Sequence, residues 1–285
     1  MHGSAVRVRR YEMEHASWEV ARRAPMPALR PYLSAVPEGW AHSRGPRPSL
    51  REVPFPGIPV IFNLGPAWEI EQPVEPGVKR VDSFLAGLHT APVFVRAADA
   101  SWACIELQLT PLGVHRLVGL PMSELANRSV SLEELLPDAR VLSARLRDAP
   151  SWENRFDLVE EFLLRRLAEA APPSPGVEWS WRLLRQTNGR VAIGALASEL
   201  GWSHRRLIAR FREQIGLAPK TVARVMRFDR AVAALRSGSQ GGLAELAFEC
   251  GYFDQAHLNR DFRELAGTTP AAFAASILAS GGVGG

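Results

Sequence analysis

The chain has 285 residues, 46% of them hydrophobic and 22% charged, with a net charge of +4. That is ample for two domains with ordinary cores and is the balance of a globular protein. Two cysteines far apart, Cys104 and Cys250, exclude a disulfide framework or a zinc module and point to a reducing compartment. No apolar run approaches the ~20 residues of a membrane helix, and the charged stretch from Met1 to His15 lacks the apolar core of a signal peptide. A cytoplasmic protein with no membrane partner is expected.

Charge and proline are unevenly spread. From Gly176 onward there are 14 Lys and Arg against 9 Asp and Glu, and only Pro219 and Pro270 of the 22 prolines. The first part therefore reads as Pro-punctuated strands and the last part as helices with a basic excess, the footprint of a module that meets phosphates. Residues Arg51 to Thr110 carry the strand signal. Ile105, Leu107 and Leu109 alternate with Glu106, Gln108 and Thr110, and Val60, Phe62 and Leu64 alternate around Ile61 and Asn63, the pattern of half-buried strands. Prolines between Pro54 and Pro92 cut them short, as in a small barrel or sandwich.

Helical spacing begins after Pro111. Ser131 followed by Glu134 has capping-box spacing. Trp152, Phe156, Val159, Phe162, Leu163 and Leu167 form an apolar stripe that packs either on its own barrel or on a second copy; both readings stay open. The segment Ala170-Ala171-Pro172-Pro173-Ser174-Pro175-Gly176 cannot continue a helix and reads as a stiff linker. The expected architecture is an α+β multidomain protein. A β-rich, barrel-like domain with C-terminal helices (1–170) and the linker (171–176) precede an all-α module (177–275) and a flexible tail (276–285).

The all-α module contains one pattern twice. Val191 to Lys220 and Leu243 to Pro270 each give a short Ala-rich helix, a glycine turn, a second helix and a glycine stop before proline. Ala197 and Ala247 are small where two helices cross. Gly201 and Gly251 can take the positive φ that ends the first helix, and Ser203 and Asp254 are N-caps for the second. Leu207, Phe211 and Ile215, and likewise Leu258, Phe262 and Leu265, form inward stripes. Arg205, Arg206, Arg210 and Arg212, then Gln255, His257, Asn259, Arg260 and Arg263, are left outward, where they can reach base edges and phosphates of a major groove. Between the copies, Thr221 to Arg236 reads as one helix, buried through Val225, Phe228, Val232 and Leu235. Its length of roughly 25 Å suits a rod between successive major-groove segments ~34 Å apart. Its Arg224, Arg227 and Arg230 are expected to be solvated or to have partners within the chain.

The stretch CGYFDQAHLNRDFRELAGTTPAAF and the earlier LASELGWSHRRLIARFREQIGLAPK resemble the double helix-turn-helix of the AraC/XylS transcription regulators, over roughly Trp181 to Phe273. Phe62-Asn63-Leu64-Gly65 and Phe84 to His89 resemble sensor domains of actinobacterial members. The resemblance implies a regulator of promoter DNA whose N-terminal domain senses a small-molecule effector or forms a homodimer, and which meets RNA polymerase if it activates. Carried over by position, it places base-reading roles on Arg205, Ile208 and Ala209, and on Gln255, Ala256, His257, Asn259 and Arg260. Ala209 and Ala256 depart from the family's usual polar residues.

No Ser-His-Asp order, phosphate-cradling glycine loop or adjacent carboxylate pair stands out, so no enzymatic role and no cofactor are expected; Glu133, Glu134, Glu160 and Glu161 read as surface charge. The seven histidines have no paired spacing. No metal is expected, and His89 reads as structural. Trp40, Phe55, Phe62, Trp68 and Trp102 would suit an apolar or aromatic effector, or simply fill a core. Two rivals remain: an adaptor whose basic helices hold an acidic partner protein, and an enzyme with a DNA-targeting tail.

Overall fold

A computed structural model describes residues 4–47, 49–72, 75–238 and 241–279. Its N-terminal strands are β1 (Arg7–Met13), β2 (Ala16–Arg22), β3 (Glu38–Arg44), β4 (Ser49–Glu52), β5 (Ile58–Asn63), β6 (Trp68–Gln72), β7 (Glu75–Val81), β8 (Phe84–Ala86), β9 (Val93–Ala97), β10 (Trp102–Leu109) and β11 (Ser129–Ser131). They form two antiparallel sheets, β1-β2-β3-β10-β5-β8-β11 and β4-β9-β6-β7. Each sheet runs between two edge strands, so the expected barrel-like half is a pair of open sheets.

The central strand β10 divides the interior. Ile105, Leu107 and Leu109 face a large cluster that includes the helices, as their alternation predicts. Cys104 faces the other way, into a smaller cluster between the sheets with Ile61, Trp68, Ile70, Val81 and Val93. Its neighbour β5 has core on both sides, so Ile61 and Asn63 are buried along with Val60 and Phe62.

Helices α1 (Pro111–Val118), α2 (Leu132–Leu135), α3 (Ala139–Asp148) and α4 (Trp152–Glu169) cover the outer face of the larger sheet. Ser131 does cap α2, but its Oγ accepts from Glu133 N at 3.3 Å. This is one residue short of the capping-box partner, in a helix of a single turn. The stripe of α4 is wholly buried within the chain, Phe162 meeting Phe62 edge-on at 6.4 Å. That settles the open choice: the stripe is spent on the chain's own sheet and leaves nothing for a second copy.

Glu160 corrects the surface-charge reading, for it is 6% exposed. Arg23, 4% exposed at the end of β2, donates to Asp157 Oδ1 at 2.6 Å and lies 3.4 Å from Glu160 Oε2. Glu160 Oε1 also accepts from Met26 N at 3.1 Å. Burial pushes the Glu160 carboxyl above its ordinary range, with Met26 N and Arg23 pulling it back. A carboxylate on a helix face is thus buried because a strand end brings it a cation.

The rest is helical: α5 (Pro175–Gln186), α6 (Ile193–Glu199), α7 (His204–Gln214), α8 (Pro219–Arg236), α9 (Leu243–Glu249), α10 (Gln255–Ala266) and α11 (Pro270–Ala279). Pro175 opens α5 at the position where proline's missing N–H costs nothing, so the helix begins inside the expected linker. The large core runs on past the proline segment through Val177, Trp181, Leu207, Phe211, Val222 and Met226. Ser174 N donates to Gln214 Oε1 at 3.0 Å. The expected tail is helical to Ala279; residues 280–285 lie outside the described residues.

Candidate nucleic-acid interface

The two glycine turns match bond for bond. In the first, Gly201 sits at φ +60°, Trp202 N donates to Ala197 O at 2.9 Å, and Ser203 Oγ accepts from Arg206 N at 3.2 Å. In the second, Gly251 sits at φ +81°, Tyr252 N donates to Ala247 O at 2.9 Å, and Asp254 Oδ1 accepts from His257 N at 2.7 Å. A left-handed residue followed by a six-to-one hydrogen bond ends a helix sharply, and the capped helix can then restart at a steep angle. Ala197 and Ala247 are buried at the crossings.

Leu207, Phe211 and Ile215 anchor α7, and Leu258, Phe262 and Leu265 anchor α10, all without exposure. Outward on α7 lie Arg205, Arg206, Ile208, Ala209, Arg210 and Arg212. On α10, Gln255, Ala256, Arg260 and Arg263 are exposed, and His257 and Asn259 half-buried. Three of these polar side chains have partners in the chain. The Arg206 guanidinium lies 4.7 Å above the Trp202 ring, Arg210 donates to Glu213 Oε2 at 2.7 Å, and the His257 ring meets Tyr252 edge-on at 5.1 Å. Among the described residues, the side chains of Arg205, Arg212, Arg260 and Arg263 make no hydrogen bond or ion pair within the chain. Their charge is available to an outside anion.

Arg224 and Arg227 on the basic side of α8 find partners within the chain, one of the two outcomes expected for them. Arg224 Nε donates to Asp261 Oδ1 at 2.8 Å and its Nη2 to Glu264, tying α8 to α10. Burial lowers the Arg224 pKa, but Asp261 and Glu264 outweigh it and hold the guanidinium above its ordinary value. Arg227 Nη1 donates to Gly189 O at 2.8 Å. The Phe228 ring on α8 packs tilted against Phe262 at 4.8 Å, and Phe262 meets Phe273 of α11 edge-on at 5.8 Å. Sequence reading missed the Arg224–Asp261 tie, because its partners stand 37 residues apart and only the acidic residue on the inward side of α10 hints at it.

The histidine His89 is buried, with Nδ1 2.6 Å from Gly87 O. Burial drops its pKa to about 4, against the backbone hydrogen bond that raises it, which leaves it neutral at physiological pH. Among the described residues, no group of three His, Cys, Asp or Glu could hold a metal ion, and no helix is long and apolar enough to cross a membrane. The aromatic set does not form one site: Phe62 faces the helices, whereas Trp68, with Trp40 and Trp102 beside it, lies between the sheets.

The family profile described as "Helix-turn-helix domain" matches residues 196–276. No curated protein matches in sequence. Among solved structures, ToxT from Vibrio cholerae strain SCE256 with bound unsaturated fatty acid is similar at 10% identity and a TM-score of 0.48, over 80% of this chain and 91% of that one. The DNA-binding domain of AdpA, a global transcriptional factor in complex with a target DNA, is 26% identical at a TM-score of 0.36, covering 39% of this chain and all of its own. The C-terminal domain of AraT, a response regulator from Geobacillus stearothermophilus, is 18% identical at 0.35, over 37% and 88%. With two matched helix-turn-helix units on one connecting helix and the profile match across both recognition helices, the C-terminal part of this chain is a helix-turn-helix domain and the protein is a DNA-binding transcription regulator.

Proposed function

We propose that the chain is a one-component regulator that reads two adjacent major-groove segments of promoter DNA, one with α7 and one with α10. The carrying observation is the pair of recognition helices rooted through α8, each presenting arginines that have no partner among the described residues. In the first unit Arg205 is the principal base reader, with Ile208 and Ala209 offering apolar contact to thymine methyl groups and Arg206, Arg210 and Arg212 near the phosphates. In the second, Gln255, His257, Asn259 and Arg260 read bases, Ala256 gives apolar contact and Arg263 meets the backbone. No catalytic step is assigned to any part of the chain, and its place is the cytoplasm.

Selection from a random duplex library tests this. The wild type should enrich two short motifs about one helical turn apart. Arg205→Ala should blur one and Arg260→Ala the other, each losing ~1–3 kcal/mol of discrimination. Binding with no sequence preference would favour the adaptor reading, in which the basic helices hold an acidic protein.

Residues 1–170 are proposed as the sensor, 171–176 as the join and 177–275 as the DNA module. Among the described residues, the buried indole N–H groups of Trp40, Trp68 and Trp102 have no partner, which supports a small-molecule effector between the sheets, since buried donors otherwise pair. The N-terminal half touches both units. A Cβ at Gly216 would meet Met122 O at 3.0 Å, and Val53 packs into the core of the second unit. An effector that shifted the sheets would therefore bias how the units are presented. Calorimetry over a broad metabolite panel should find one saturable ligand, and its heat should fall with Trp68→Phe. No saturable binding across the panel would sink the effector reading. A homodimer would have to use surfaces other than the α4 stripe, and a contact with RNA polymerase belongs to the activator case.

A further inference from the structure

The seam between the two helix-turn-helix units holds an open depression of about 840 Å³ that the recognition helices do not explain. Three arginines line it. Arg190 comes from the loop before α6, in the first unit, and Arg227 and Arg230 come from successive turns of the connecting helix α8. The far wall is the turn of the second unit, Gly251 to Phe253, and the rim includes His257 in the first turn of α10. The Arg190 stem crosses that turn so closely that a Cβ at Gly251 would lie 2.7 Å from its Cγ. Gly251 is therefore needed twice, for its positive φ and for the passage of this side chain.

The charge here is not neutralised within the chain. Arg190 Nε donates to Thr187 O at 3.3 Å and Arg227 Nη1 to Gly189 O at 2.8 Å, both uncharged acceptors. Arg230 makes no hydrogen bond or ion pair among the described residues. Glu249 is the one carboxylate on the wall. Among the described residues, the buried Nε of Arg227 has no hydrogen-bond partner. Three guanidinium groups lining one open depression form a receptor for a tetrahedral oxyanion.

We propose that this seam binds a phosphodiester of the DNA backbone between the two major-groove segments, and so fixes the register of the units on the duplex without reading sequence. The inference rests on the DNA-binding reading and adds to it a contact outside both recognition helices. The shared rim residue His257 puts the seam beside the base-reading face of α10, and Arg190 stands just before α6, where helix-turn-helix proteins meet the backbone.

The test is the salt dependence of binding of the full chain to the duplex enriched by the wild type and to a mixed-sequence 30-base-pair duplex. Each phosphate contact contributes about 0.9 to the slope of log affinity against log salt. Arg230→Ala and Arg190→Ala should each flatten the slope by about one and weaken binding to both duplexes by the same factor. The enriched motif should stay unchanged, and Arg190→Lys should restore the slope. Matched thermal melts keep misfolding apart from lost contact. A wild type that binds while both alanine variants keep its slope overturns this inference alone, as does a variant that changes the enriched motif. A wild type that binds neither duplex overturns the DNA reading and this one with it.

Discussion

Phe262→Ala should destabilise the second helix-turn-helix unit by about 3–5 kcal/mol, the cost of emptying a fully packed aromatic site. Phe262 has no exposure and is wedged between Phe228 of α8 and Phe273 of α11, so no neighbour is free to collapse into the space. Its cluster is separate from the large core and, apart from Val53, is built from residues of α8 to α11 and their turns. The loss should therefore be local. In urea, circular dichroism should show the variant unfolding in two steps where the wild type shows one, the second unit melting first. The motif read by α10 should vanish from library selection while the α7 motif survives. A single transition shifted by less than about 1 kcal/mol would mean that the small core does not hold the unit.

Arg224→Ala should cost about as much, for an electrostatic reason. Asp261 is 4% exposed at its side chain and Arg224 28%, so removing the arginine leaves a buried carboxylate with no counterion, a loss of about 3–5 kcal/mol. Arg224 also holds Glu264, which makes it the fastener between the connecting helix and the second recognition helix. Asp261→Leu in the Arg224→Ala background should recover much of the stability by replacing the stranded charge with apolar volume. A double-mutant cycle read by denaturant melts would show this as a coupling above about 1 kcal/mol. Additive costs would refute the pairing. Because the tie fixes α10 rather than touching DNA, Arg224→Ala should weaken binding without redirecting which bases are preferred.

The sequence carried the parts whose causes are local. Glycine at 201 and 251, the caps Ser203 and Asp254, and apolar stripes three and four apart specify two helix-turn-helix units, because each signal acts within a turn or two of chain. The alternation in β10 did the same for a strand face. The tertiary structure decided where faces go and what buried charges meet. It spent the α4 stripe on the chain's own sheet, buried Glu160 because the end of β2 brings Arg23 to it, and separated Phe62 from the tryptophans by putting a sheet between them. It brought Arg190 across Gly251 and joined Val53 to the second unit's core, contacts spanning 61 residues and more than 170. Such pairings follow from chain topology and from the balance of burial against desolvation, and no periodicity within one segment encodes them.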